Sequence, residues 1–154
     1  WTVNQFDASL SWGDVKEIRK QWGGKLIIKG ILDAEDARAA VNVGADTIVV
    51  SNHGGRQLDG ALSAIKALPA IVDAVGDKTE VWMDGGIRSG QDVLRAIALG
   101  ARGTFIGRAF LYGLGANGQA GVTQALKIIH KELDLTMGLC GQSELCKVDS
   151  SILS

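Results

Sequence analysis

Ser51, His53 and Arg56 stand together in the stretch "SNHGGRQLDG" (51 to 60), directly after the apolar run "DTIVV". The glycines, asparagine and aspartate there serve the backbone angles of a turn and prove little by themselves. An imidazole and a guanidinium three residues apart are not turn residues. A neutral imidazole accepts a proton, and a guanidinium grips a carboxylate through two parallel N–H bonds. The pair therefore suits an acid whose proton is taken while its carboxylate is held.

Further polar groups close the other apolar runs. Lys29 ends "KLIIK", Asp84 with Gly85, Gly86 and Arg88 follows "EVWM", and Gly107 with Arg108 closes "GTFIG". "DGGIRSG" opening one helix and "GR" opening the next read as a phosphate site. Glycine lets backbone N–H groups approach an anion, helix N-termini add partial positive charge, and Arg88 and Arg108 supply forked donors. Singly, each has a plainer reading: Lys29 as a solvated charge, Asp84 as a turn cap, the glycines as surface turns. Four runs that end the same way argue for one shared site.

The elements that must position these groups follow from periodicity. "KLIIK" (25 to 29), "DTIVVS" (46 to 51), "EVWMD" (80 to 84) and "GTFIG" (103 to 107) are continuous apolar runs, the pattern of parallel strands buried on both faces. Helix-period stretches fall at 33 to 43, 63 to 75, 89 to 99, 108 to 115 and 121 to 139. Alternating strands and helices mean an α/β fold, which places ligands at the C-terminal ends of parallel strands. Two units repeat without a gap at an offset of 56: "GILDAEDARAAVNVGADTIVVS" (30 to 51) and "GIRSGQDVLRAIALGARGTFIG" (86 to 107). In both, a glycine (Gly44, Gly100) releases the helix into the next strand, and Ser89 with Asp92 forms a capping pair. Internal repetition favours a (β/α) barrel. A closed barrel needs eight strands in roughly 200 or more residues, and four are legible here. The alternatives are half of a barrel or an open four-stranded domain with two edges to cover.

Composition narrows the function. The chain has 154 residues, 46 % of them apolar, enough for one domain with a core. Its 16 basic and 17 acidic residues nearly cancel, which leaves no field of one sign for nucleic acid. Cys140 and Cys146 lie without a histidine pair nearby, so a reduced cytoplasmic protein with no metal site is expected. No apolar run reaches the roughly 18 residues of a membrane span. "GLGANG" (113 to 118) satisfies the dinucleotide-binding spacing but lacks a strand immediately before it, so it reads as helix. His130 borders an apolar helix stripe and reads as a structural or surface histidine.

"SNHGGRQLD", preceded by "IIKG" and followed by "DGGIRSGQDV" and "IGRAF", resembles the FMN-dependent α-hydroxy-acid oxidases and dehydrogenases from about Phe6 to Leu153. The tail "GRAFLYGLGANGQAGV" is similar to the quinone-linked bacterial L-lactate dehydrogenases within that family. The resemblance implies the C-terminal half, strands five to eight, of a (β/α)8 TIM barrel, with residues 1–154 as a single segment of it. It implies FMN as cofactor and a small 2-hydroxy acid, L-lactate first, as substrate, with glycolate or mandelate as alternatives and quinone or oxygen as acceptor. His53 would take the substrate proton and Arg56 would bind its carboxylate. Lys29 would face the flavin, Ser51 would hydrogen-bond it, and Asp84 would hold ribityl hydroxyls. Gly85, Gly86, Ile87, Arg88, Gly107 and Arg108 would bind the phosphate.

The resemblance further implies an N-terminal half of the barrel that supplies a substrate tyrosine, a second arginine and an aspartate behind the histidine. It also implies a variable loop before Phe6, membrane-binding in some members. A homo-oligomer, cytoplasmic or peripheral on the inner membrane face, is expected. Two rivals remain: a non-catalytic FMN- or phosphate-binding half-barrel, and a barrel enzyme of the type 2 isopentenyl diphosphate isomerase kind. A diphosphate substrate gives the latter no reason for Arg56.

Overall fold

The computed structural model describes Asp7 and residues 9–153; the segment before Phe6 and Phe6 itself lie outside the described residues. Four parallel strands form one sheet: β1 (Ile27–Ile31), β2 (Thr47–Val50), β3 (Glu80–Met83) and β4 (Gly103–Thr104). Their spatial order is their chain order, β1-β2-β3-β4. A doubly wound sheet would reverse direction at a switch point. Consecutive order with helical crossovers is barrel topology.

The helices are α1 (Trp12–Gln21), α2 (Ala34–Asn42), α3 (Ala64–Val75), α4 (Gly90–Ala98) and α5 (Arg108–Leu139). α2, α3 and α4 pack on one face of the sheet, where Ala37, Ala40, Leu68, Ile71 and Ala96 meet Ile48, Val50, Val81 and Met83 in a single core. Side chains alternate along a strand, so Ile27, Lys29 and Trp82 fall on the other face. There Ile27 is 46 % exposed. Trp82 packs against Phe105 with ring centroids 5.5 Å apart.

The repeat holds at the level of caps. Gly44 (φ 90°) and Gly100 (φ 98°) both adopt the left-handed conformation. The pairs Gly44 N–H to Val41 C=O and Ala45 N–H to Ala40 C=O recur as Gly100 to Ile97 and Ala101 to Ala96. This is the Schellman motif, twice. At the other helix ends Asp33 accepts from the Glu35 N–H, and Ser89 and Asp92 form the expected capping box.

Four elements differ from the sequence reading, the first being β4, which pairs with β3 only over Gly103–Thr104 and not along 103 to 107. β1 begins and ends two residues later than "KLIIK", because a bulge between Lys29 and Ile31 lets pairing resume at Ile31–Val50. The helical stretches at 108 and 121 join as α5, whose backbone breaks at Asn117 and Gly118. The two arms cross where a side chain on Gly113 would strike the backbone of Gly121, so "GLGANG" is helix and turn and not a nucleotide loop. α1 was not foreseen at all. It buries no residue fully, and its visible signal was Ser11, whose Oγ and N–H both bond Asp14 Oδ2 at 2.7 and 2.8 Å. Asp46 ties it to the sheet, pairing with Arg19 at 3.3 Å and Lys25 at 2.9 Å and accepting from the Leu26 N–H at 2.9 Å. The Leu26 amide, and after it Lys25, hold the Asp46 carboxyl below its ordinary value.

α4 and α5 cross so closely at Gly90 that any β-carbon there would overlap the backbone of Glu132 and Leu133. Overpacking of a core contact costs about 1–3 kcal/mol. Gly90→Ala is therefore expected to lower the denaturant midpoint by that order, while Gly23→Ala, which meets nothing within 4 Å, leaves it nearly unchanged. Equal effects from the two variants would show that this crossing is loose.

Candidate active site at the strand ends

Lys29 stands at the bulge of β1, and its ammonium reaches over both neighbouring strands. Nζ donates to Ser51 Oγ at 2.9 Å and pairs with Asp84 Oδ2 at 2.8 Å. One cation thus joins the ends of β1, β2 and β3. Asp84 is held at 18 % side-chain exposure. Its second oxygen, Oδ1, is buried and has no hydrogen-bond partner among the described residues. A buried acceptor without a donor is uncommon in folded proteins, and this one fits a hydroxyl-bearing ligand.

The chain after β2 turns through His53–Gly55, three successive residues with positive φ of 54°, 69° and 73°. His53 is the one non-glycine residue with a positive φ among those described, at 54°. That conformation costs about 1–2 kcal/mol for a residue with a β-carbon, so the surroundings must hold it. Asn52 Oδ1 accepts the Gly54 N–H at 3.0 Å, and Ser51 Oγ accepts the His53 N–H at 3.1 Å. Asn52 was not nominated from sequence. Its signal was the asparagine that so often caps such turns.

A cleft of about 570 Å³ opens between the strand ends. It brings together the side chains of Lys29, His53, Arg56, Asp84, Arg88 and Arg108 with the main chain of Gly85, Gly86, Ile87 and Gly107. Ser51 is fully buried behind Lys29 and does not line it. The Ile87 side chain is in the core, so Ile87 offers the cleft its backbone. Gln57, Phe105 and Leu111 also line the cleft and were missed. Gln57 lay inside the histidine motif, and Leu111 stands one helical turn beyond Arg108. Arg56, Arg88 and Arg108 make no ion pair among the described residues, whereas Lys29 is answered by Asp84. The cleft is therefore cationic in a chain whose net charge is −1.

The two helix N-termini beside the cleft are not equivalent. At α4 the Arg88 and Ser89 amides donate to Asp92 Oδ2 at 3.0 and 3.1 Å, and the Gly90 amide donates to Glu132 Oε2 at 3.0 Å. Its donors are occupied by the protein's own carboxylates. At α5 no side chain caps the first turn, and Gly107, Arg108 and Ala109 line the cleft, so the partial positive charge of that helix end lies beside it. An anion is best served by α5, Arg88 and Arg108, with the backbone of Gly86 and Ile87, and not by α4.

Comparison with known proteins gives the class. Residues 1–154 match the family described as FMN-dependent dehydrogenase, and the chain belongs to that family. It is 56 % identical over its full length to the L-lactate dehydrogenase of Caulobacter vibrioides (strain NA1000 / CB15N), covering 40 % of that protein. It is 57 % identical over 96 % of its length to the L-lactate dehydrogenase of Pseudomonas putida (strain GB-1), covering 39 %. Among solved structures it superposes on a monotopic membrane protein, (S)-mandelate dehydrogenase, with a TM-score of 0.94 and 39 % identity, spanning 99 % of this chain and 40 % of that one. A mandelate oxidase variant with a monooxide FMN adduct gives 0.86 and 49 %, over 91 % of this chain and 45 % of that one. The chain spans about two-fifths of the length of the curated relatives it matches. Its four βα units are the C-terminal half of a (β/α)8 TIM barrel, and the cofactor of the family is FMN.

Asn52 caps the turn after His53 through the Gly54 N–H, beside the bond from the His53 N–H to Ser51 Oγ. Asn52→Ala is expected to cost about 1 kcal/mol, the worth of a capping side chain, read as a shift in the denaturant midpoint. An unshifted midpoint would show that the turn holds itself.

Proposed function

We propose that the protein carrying this chain oxidises a small L-2-hydroxy acid, L-lactate to pyruvate in the first instance, with FMN as cofactor. The observation that carries the proposal is the set of three arginines without anionic partners around one cleft that also holds His53. Such a site calls for two anions, a carboxylate and a phosphate, beside a proton acceptor. FMN, when bound, supplies the two-electron acceptor.

The chain's own residues would do the rest. Arg56 would hold the substrate carboxylate, and an imidazole nitrogen of His53 would take the substrate proton. Lys29 would favour the negative charge that builds as the acid is oxidised. Asp84 Oδ1, the acceptor without a donor, would take a ribityl hydroxyl. Ser51 would serve the cofactor through Lys29, whose Nζ donates to its Oγ, and not by lining the cleft itself. Gly85, Gly86, Ile87, Arg88, Gly107 and Arg108 would hold the phosphate, with the first turn of α5 adding its amides.

We further propose that residues 1–154 act as one segment that needs an N-terminal half of the barrel against the open face of Ile27, Trp82 and Phe105. Exposed apolar side chains on α5, such as Leu135 and Leu139, suit that half or a second copy. Quinone is the proposed acceptor, with the protein peripheral on the inner membrane face. No helix among the described residues is long and apolar enough to cross a membrane, and the (S)-mandelate dehydrogenase neighbour is monotopic. Mandelate is the second substrate reading, supported by the mandelate enzymes among the structural neighbours and by Phe105 and Leu111 in the cleft.

The test is the visible flavin absorption of the protein purified from its host, followed without oxygen as L-lactate is added. Bleaching is expected. Bleaching by mandelate and not lactate would move the substrate, and a bound flavin that no hydroxy acid bleaches would leave only a binding module. His53→Gln is expected to lose roughly 10²–10⁴ in turnover with flavin retained. Arg56→Lys is expected to lose roughly tenfold to a hundredfold in kcat/KM, the worth of one charged hydrogen bond. The 154-residue chain alone is expected to show no turnover, and turnover by it would refute the need for a second half.

A further inference from the structure

We infer that Gly30 is a positioning residue for the His53 imidazole. The steric part of this inference stands on geometry alone; the kinetic part rests on the proposed role of His53 as base. A β-carbon on Gly30 would stand 2.8 Å from His53 Nε2, 3.5 Å from Cε1 and 3.8 Å from Cδ2. The ring therefore presents its Nε2 edge to the bulge of β1, closer than any side chain at position 30 permits. The backbone of His53 cannot retreat. It is fixed by its N–H on Ser51 Oγ and by the Asn52 cap on the next residue. A methyl group at position 30 would leave the ring one escape, rotation about its own side-chain bonds, which turns its nitrogens away from where the cleft holds them.

The internal repeat supplies a control. Gly86 is the counterpart of Gly30 at the offset of 56 and has nearly the same left-handed backbone, φ 95° against 100°. Yet a β-carbon on Gly86 meets nothing within 4 Å. Backbone strain alone would make the two glycines equally costly to replace. Contact with the imidazole makes Gly30 the costlier one, and only while His53 is present.

The experiment compares Gly30→Ala, Gly86→Ala, His53→Ala and the Gly30→Ala/His53→Ala double variant in the protein as its host makes it. Melting temperature, flavin content, kcat and KM for L-lactate, or for whichever hydroxy acid bleaches the flavin, are measured. With the flavin removed from each variant, so that a phosphate contact at Gly86 does not enter, Gly30→Ala is expected to lower the melting temperature more than Gly86→Ala does, and the excess is expected to vanish in the His53→Ala background. With flavin retained, Gly30→Ala is expected to lower kcat by about tenfold to a hundredfold, the effect of a small misplacement of a reacting group, with KM changed by much less. Equal losses of stability with and without His53, or an unchanged kcat where His53→Ala abolishes turnover, would overturn the inference. If Gly30→Ala fails to fold, folding of the double variant supports the inference and its failure overturns it. If His53→Ala leaves turnover intact, the base assignment falls, and the stability comparison alone decides the role of Gly30.

Discussion

The ammonium of Lys29 sits where three strands end, and the chemistry of the cleft depends on how its charge is spent. Because β1, β2 and β3 are parallel and consecutive, their C-terminal ends share one edge. A single long side chain there reaches an acceptor on each neighbour, Ser51 and Asp84. Without it, a partly buried carboxylate would stand unanswered, which is strongly unfavourable. With it, the one acidic group of the cleft is neutralised, and Arg56, Arg88 and Arg108 keep their charge for ligands. Lys29 thus orders the strand ends and sets the sign of the site.

The duplicated unit shows how one scaffold serves two tasks. Both copies have a left-handed glycine near a strand's C-terminal end, an N-capped helix, a Schellman stop and a second strand. What differs is the neighbour each copy meets. After the first copy comes the turn that lays His53 across Gly30. After the second come Arg108 and the first turn of α5, and the space beside Gly86 stays open. The groups proposed for proton transfer and carboxylate binding thus follow the first copy, and those proposed for the phosphate follow the second, each fixed by a few side chains outside the shared pattern.

Strands and most of the polar residues that line the cleft were legible because both are local signals: continuous apolar runs, each closed by a polar group. The capping box of α4 and the two stop glycines were legible for the same reason. What escaped the sequence depends on tertiary approach. The bulge that delays β1 is a slip in pairing with Val49 and Val50, which no property of "KLIIK" announces. The N-terminus of α4 looked like an anion site until Glu132, 42 residues along the chain, was found on the Gly90 amide. α1 carries no apolar stripe deep enough to bury a residue, so periodicity could not reveal it. The left-handed His53 is a departure from local preference, and such departures collect at working sites.

The exposure of the site explains why half a barrel holds the reactive groups without being expected to turn over. His53 and Arg56 are exposed in the four-strand unit. Two unit charges about 4 Å apart attract by about 1 kcal/mol in water and about 4 kcal/mol at an effective dielectric constant near 20. The guanidinium proposed to orient a carboxylate, and the imidazole proposed to take a proton from the same molecule, would work in the second regime and not the first. Ile27, Trp82 and Phe105 form an apolar part of the open sheet face beneath the same strand ends. A wall laid against it would bury those side chains, satisfy the sheet edges and lower the dielectric over the cleft in one step. The four-strand unit thus places the charges of the cleft, and the proposed removal of water would give those placements their strength.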